Sequence, residues 1–441
     1  WGTGGAAGPH FGVLTHNARA IDPARNPEQT MTQASMPIVR HFRQILMWPL
    51  QLIPVRDGKQ VQRHWEYVSQ FGRPNPWCEV EDEFTPDPNE FQERHYREFV
   101  TFLPHVQRFL YGQGRIRLDQ DGVGDSPIRV FRRTDVQRAR LRYDDGQHVD
   151  FAIKHVDLYF FYDMDVVILV VETYADDLPL DRVQDTLYRF GRAFPAGWEP
   201  DGQPSHCMRG VQWLDARGEV LAESDFHDRQ KYLAFAGEHR SARVGAHWEY
   251  LLEPMVSHHS PDPGPLRYRQ LEYLRMPKMS FLALDDPFAL GRDDFVRLAL
   301  GSSPDDGDGL RYSASAVDAF ERDYFFDRFW APERRDLRAS TRVSCNGHSM
   351  VMVGSAAVPW FVDAETGMLG QFRHPYFLVG LIAHFHKAAL LLLSDRLVTA
   401  VTRLDVENSE SLYRFKSEIR QSLEVFLRFN HRYWFHEVSN Q

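Results

Sequence analysis

The chain has 441 residues, 43% of them hydrophobic and 13% aromatic, which excludes a wholly disordered protein and allows two or three folded units. A net charge of −10 speaks against a general nucleic-acid binder, which carries a basic excess. Three cysteines, at 78, 207 and 345, exclude a disulfide framework or a cysteine-rich zinc module and fit a reducing compartment.

Residues 1–35 are polar, rich in Gly, Pro and Thr, and have no period, so a flexible segment is expected there. They lack the basic-then-apolar layout of a signal peptide. From Met36 to Pro54 the chain is apolar, but Pro37, Pro49 and Pro54 predict that any element is short. The Pro-rich, acidic stretch 72–90 reads as a loop. A helix should follow, with Asn89 as N-cap and Phe91, Tyr96, Phe99, Phe102 and Leu103 on its apolar side.

Strand signals begin near Arg115 and continue through 128–133 and 136–143. The strongest is a pair, Val156–Tyr162 and Val166–Tyr174, around Asp163-Met164-Asp165. It predicts a hairpin whose second strand is buried on both faces. Asp176-Asp177-Leu178-Pro179 predicts a helix start with an acid as cap. Leu180, Val183, Leu187, Phe190 and Ala193 then form one face. Residues 196–230 and 254–265 read as loops, 271–286 as containing a short strand, and 301–309 as a surface loop. Asn346-Gly347 predicts a type I′ hairpin turn between STRVSC and HSMVMVGS.

Beyond Pro375 no strand is expected. One helix should span about 375–403 and another should start near Ser409. Leu412, Phe415, Ile419, Ser422, Phe426, Phe429 and Tyr433 form a heptad seam in the second. Tyr376–Leu393 approaches a membrane span, but His384, His386 and Lys387 interrupt it, so it reads as a buried or half-buried helix. Together these elements predict an α/β fold, a mixed sheet flanked by helices, followed by a long-helix bundle or stalk. The expected division is a flexible segment 1–35, an α/β domain 36–374 and a long-helix region 375–441.

No phosphate-binding loop, GxSxG elbow or zincin motif occurs. His384 and His386, at i and i+2, point to different helix faces and read as structural. His258, His259 and Asp262 offer two or three ligands in a Pro-rich loop, too few to specify a metal site. His206-Cys207 sets a thiol beside an imidazole, although nucleophile and base are usually assembled across a fold. Cys345 reads as buried packing. Acid clusters stand at Asp176-Asp177, Asp285-Asp286, Asp293-Asp294 and Asp305-Asp306-Asp308. Hard cations such as Mg2+ take carboxylate oxygens, while a loop or a helix cap takes the same residues.

The run STRVSCNGHSMVMVG, then QFRHPYFLVGLIAHFHKAALLLLSDRL, then FKSEIRQSLEVFLRFNHRYWFHEVSNQ resembles the cytoplasmic part of a bacterial CorA-like divalent-cation transporter, over about 338–441 and more loosely over 150–195. The resemblance implies a cytosolic α/β domain leading through long helices into two membrane spans with a Gly-Met-Asn signature between them, neither of which lies within these residues. It further implies a pentamer at the cytoplasmic face of the bacterial inner membrane, without covalent chemistry. A regulatory Mg2+ or other divalent cation is expected on acidic residues. Asp285 and Asp286, with Asp176 next, are the candidates that acid clustering offers. The alternatives are a soluble metal-dependent hydrolase using His258, His259 and Asp262, or an oligomeric scaffold.

Overall fold

The computed structural model describes residues 36–54, 64–72, 75–80, 92–112, 127–162, 164–264, 266–272, 274–303 and 309–439. Its centre is set by three long strands: β1 (Ile38–Pro54), β5 (His148–Phe161) and β6 (Val166–Pro179). Between β1 and β5 lie β2 (Trp77–Glu79), β3 (Ile128–Arg133) and β4 (Arg138–Arg142). After β6 come β7 (Gly210–Leu214), β8 (Val220–Glu223), β9 (Val256–Ser257), β10 (Leu266–Gln270) and β11 (Lys278–Leu284). The last are β12 (Phe325–Trp330), β13 (Ser340–Cys345) and β14 (Ser349–Ser355).

These strands form one mixed sheet in the order β12-β13-β14-β11-β1-β6-β5-β4-β7-β8. β10 and β9 are added beside β1, and β3 and β2 beside β5. Two long strands are each shared by two short ones along one edge. β1 pairs with β11 through Val39–Leu46 and with β10 through Leu50–Pro54. β5 pairs with β4 through His148–Ala152 and with β3 through Asp157–Phe161.

This sharing explains why β1 is long despite its prolines. Met47 donates its N–H to the carbonyl of Pro277 at 2.8 Å, on the β11 side. Two residues on, Pro49 turns its nitrogen to the same edge, in the gap between the β11 and β10 pairings, where no donor is needed. The short element expected at 36–54 is therefore a 17-residue central strand.

The hairpin of β5 and β6 is antiparallel, and Val166, Val167, Ile168, Leu169, Val170 and Val171 are all buried, as a strand covered on both faces requires. One face packs Phe42, Leu46, Trp48, Val167, Leu169 and Leu282 under helices α3 (Leu180–Arg189), α4 (Ala246–Leu252) and α5 (Arg292–Leu300). These follow α1 (Glu93–Thr101) and α2 (Pro104–Tyr111) in the chain. The opposite face packs Ile45, Met47, Ile168, Val170, Met279 and Phe281 under α2, α6 (Met368–Arg373), α7 (Pro375–Thr402) and α8 (Ser409–Arg432). The result is an α/β/α sandwich with a helical C-terminus.

The elements from Pro37 onward form one compact unit, so the long helices are packed into the α/β body rather than set apart from it. α7 buries Phe377, Leu381, Phe385 and Leu392 on the sheet. The chain after α8 returns to α1 and α2, where Leu103 donates to the carbonyl of Val438 at 3.0 Å. Met368–Thr402 is, among the described residues, the one helical stretch long and apolar enough to cross a membrane by length and composition; part of it is buried in this core.

Several sequence expectations are corrected. The helix expected at Asp176 begins at Leu180, because β6 continues to Pro179; the two acids are strand residues and cap nothing. Stretches read as loops hold β7, β8 and the two-residue β9. The Asn346-Gly347 turn has no positive φ. The Asn346 side chain instead accepts from the N–H groups of His348 and Ser349 at 2.9 and 3.0 Å, a side-chain turn that replaces the backbone one. Cys345 is exposed. Tyr96, placed on the apolar side of α1, is exposed too. Residues 1–35, the signal near Arg115, Asn89, Phe91 and Asp305-Asp306-Asp308 lie outside the described residues.

Candidate functional site

Two of the expected cation ligands lie at the same end of the sheet, two strands apart. Asp285 follows β11 and Asp176 lies in β6, on either side of β1. The register of β1 against β11 shifts between Val39 and His41, and Asp177 takes a left-handed φ of 54°. The irregularity brings Arg40 between the flanking strands. Its Nε donates to both carboxylate oxygens of Asp285 at 2.9 and 2.8 Å, and its Nη1 to Asp177 at 2.8 Å. Arg43 donates to Asp176 at 2.7 Å, with His41 Nδ1 at 3.2 Å.

The hydrogen bonds from Arg40 hold the Asp285 carboxyl below its ordinary range. Burial would raise that of Asp176, but the hydrogen bond and charge of Arg43 outweigh it and bring it down. Asp286 has a different task, accepting from the N–H of Phe288 at 3.0 Å to cap a short 3-10 turn. The acids are thus already neutralised by arginines, and among the described residues no three His, Cys, Asp or Glu are grouped to hold a metal ion.

Cys207 is fully buried and burial pushes its thiol up to about 12, the reverse of an activated nucleophile. Its neighbour His206 meets the Tyr188 hydroxyl. The rings of His258 and His259 lie 4.8 Å apart, with His239 stacked on His259 at 4.9 Å, while Asp262 accepts from Ser260 at 2.9 Å. His386 donates its Nε2–H to the carbonyl of Tyr433, joining α7 to the end of α8. Asp294 accepts from the N–H of Gly291 at 3.0 Å and caps α5.

The densest cluster of charged side chains was not anticipated. Under α7 the sheet is apolar as far as Val170. One step along, the same face carries Glu172 on β6, Asp157, His155 and Lys154 on β5, and Arg132 on β3. Arg132 forms a two-point pair with the buried Asp157, 2.9 Å at each contact. Arg373, which ends α6, donates to the buried Glu172 at 2.6 Å. His374 immediately precedes α7, its Nδ1 3.3 Å from Glu98 and its Nε2 2.9 Å from Arg94 of α1. These groups surround a cavity of about 400 Å3. A second of about 520 Å3 shares Arg94, Glu98, Glu365 and His374 with it and is lined further by Val100, Pro375, Tyr376, Val379 and Val438.

A β-bulge places two of the lining residues. The register of β5 on β6 shifts between Ile153 and His155. Phe151 and Ile153 pack with one core, and so do Val156 and Leu158; the alternation therefore breaks at 154 and 155 and both face the cavity. Burial, then the charges of Arg132, Arg373 and Lys154, push His155 down to about 3, so its ring is neutral near pH 7. Burial raises the Asp157 carboxyl despite Arg132. Burial and then the Asp157 charge raise the Tyr159 phenol well above its ordinary value. The cavity residues come from chain positions as far apart as 92 and 378, with no local motif. The one local sign is the polar pair Lys154-His155 breaking the alternation of HVDFAIKHVDLYFF.

No family model, no curated protein and no solved structure matches the chain.

Proposed function

We propose that the chain is the soluble, ion-sensing part of a CorA-like divalent-cation transporter, acting as a homo-oligomer on the cytoplasmic side of a membrane and doing no covalent chemistry itself. The observation that carries this reading is the helical pair α7–α8. Its inner side packs on the α/β body, while Leu397, Val398, Val401, Tyr413, Leu423 and Phe426 stay exposed. So much exposed apolar surface on one helical pair marks an association face, and a second copy of this chain is its expected occupant. The order of the parts, an α/β sandwich followed by two long helices, is the order the resemblance implies.

The regulatory cation belongs on this reading to the acidic sheet end. Asp176, Asp177 and Asp285 are exposed there, and Mg2+ must compete with Arg40 for them. The hydrolase alternative has less support, since His258, His259 and Asp262 form no three-ligand group.

The test is solution mass and melting temperature at 0 and about 10 mM Mg2+ and matched ionic strength. Self-association that Mg2+ strengthens and that Leu397→Glu with Val401→Glu abolishes supports the reading. A monomer at every concentration, with a melting temperature indifferent to Mg2+, overturns it.

A further inference from the structure

We propose that the charged cavity at the start of α7 binds a small organic oxyanion, a carboxylate or phosphate monoester, whose apolar tail occupies the adjoining cavity. The site stands apart from the transporter reading and does not depend on it.

The sign of the ligand follows from which groups are already engaged. Both oxygens of Asp157 are taken by Arg132, and Glu172 is held by Arg373. Glu98 accepts from Tyr111 at 2.8 Å and faces His374. The buried carboxylates therefore have their cations, and an incoming cation would have to break those pairs. Glu365, at the exposed rim, stands 4.0 Å from Arg94, and the uncommitted groups further in are donors. Lys154 and the hydroxyl of Tyr159 line the cavity with no hydrogen-bond or ion-pair partner among the described residues. The Nδ1 of His155 is buried and has no partner, and its Nε2 is 3.8 Å from Glu172, too far for a hydrogen bond, so the ring adds no charge to the space. An ammonium and a phenol O–H lining one space call for an acceptor with several lone pairs.

Two further features agree. Phe377 and Leu378, in the first turn of α7, give the cavity an apolar wall beside its charged groups. The bulge that brings Lys154 onto the face with His155 costs ladder pairing in the long strand β5, a device common where a side chain is re-aimed into a site. About 400 Å3 holds a headgroup and a few carbons. The second cavity, walled by Val100, Pro375, Tyr376 and Val379, suits a short alkyl or aromatic tail.

The experiment is calorimetric titration of the full chain with four probes: octanoate, octyl phosphate, acetate and octylamine. Saturable binding of octanoate or octyl phosphate at one per chain, at least about tenfold tighter than acetate and with no heat from octylamine, is the expected result. The tighter of the two names the headgroup. Lys154→Ala, at an exposed position that folding does not need, should weaken it by about tenfold or more, and Tyr159→Phe by less. Octylamine binding as tightly as octanoate, no saturable binding by any probe, or a Lys154→Ala protein that binds as the parent does, each overturns the proposal.

Discussion

Lys154 and His155 are consecutive in the chain and face the same side of the sheet, because the register of β5 on β6 slips between Ile153 and His155. Lys154 is the extra residue of the slip, since Ile153 stands opposite Thr173 and His155 opposite Glu172. Deleting it leaves Ile153 and His155 as regular neighbours, the pairing of 148–152 with β4 unchanged, and Phe151 in its core, edge-on to Phe42 at 6.1 Å. The deletion is expected to stay within about 1 kcal/mol of the parent in urea unfolding, and Lys154→Ala within about 0.5 kcal/mol. A loss of more than about 3 kcal/mol on deletion, the scale of a buried Phe leaving its core, would show that the extra residue of β5 is not Lys154.

Val170 tests the centre of the sheet. It is buried under α7, on a strand covered on both faces. Val170→Asp places a second carboxylate directly opposite Asp157, whose Arg132 is already engaged, at a buried position of the apolar core, and several kcal/mol of stability should be lost. A melting temperature within a degree or two of the parent's would mean the strand is not central.

What the sequence disclosed, and what it hid, divides along physical lines. The β5–β6 hairpin, the apolar face of α3 and the two long helices were legible because burial repeats with the period of the element, as at Leu180, Val183, Leu187 and Phe190. β1 was hidden because Pro49 reads locally as a breaker. Only the sheet order shows that its missing N–H falls in a gap between partners. Asp176-Asp177 followed by Pro179 has the chemistry of a helix start, yet tertiary pairing with β1 carries the strand through it. The cavity was illegible for a different reason: Arg132, Lys154, Glu172 and Arg373 come together only through sheet register and the return of α6, which no local pattern encodes.

Arg40 decides whether the acidic sheet end takes a divalent ion. It occupies Asp177 and Asp285 together, so those carboxylates carry their counter-charge already. Arg40→Ala removes the ion pairs of Asp177 and Asp285 and, among the described residues, leaves Arg43 and His41 on Asp176. The variant should gain a larger melting shift than the parent on addition of about 10 mM Mg2+ at constant ionic strength. Equal shifts in the two proteins would remove this end of the sheet as an ion site.

The seam of α8 separates packing from association. Ser422, Val425 and Phe429 are its buried residues, with Tyr433 just beyond, whereas the heptad reading put Phe426 in place of Val425. The spacing from Ser422 to Tyr433 is therefore 3, 4 and 4, nearer the 3.6 of a straight helix lying on a body than the 3.5 of a supercoil. Phe429 stands against Phe385 at 6.1 Å, and Phe429→Ala should cost about 3–5 kcal/mol. Phe426→Ala should leave stability within about 1 kcal/mol and lower any self-association seen by light scattering. Equal destabilisation by both would restore the heptad seam.

His247 makes acid lability a test of burial. It is 1% exposed, neither ring nitrogen has a partner, and the ring lies 5.0 Å from Phe226 and 4.9 Å from Trp248. Burial pushes it from an ordinary value of 6.5 to about 3, with the charge of Asp225 opposing only weakly. Between those two values the unfolded chain holds a proton that the folded chain does not, so stability falls as pH drops from 6.5 towards 3. Above 6.5 both states are neutral and the group contributes nothing. The slope from one such histidine is at most about 1.4 kcal/mol per pH unit. His155 acts in the same direction and is present in both proteins of the comparison. His247→Leu removes one titrating group and keeps the site apolar, so urea unfolding at pH 7, 6, 5 and 4 should give a shallower acid slope than the parent's. Their difference should open only below about pH 6.5. Parallel slopes down to pH 4 would mean that the parent ring takes up its proton without unfolding, and that the Phe226–Trp248 site opens to water in the native state.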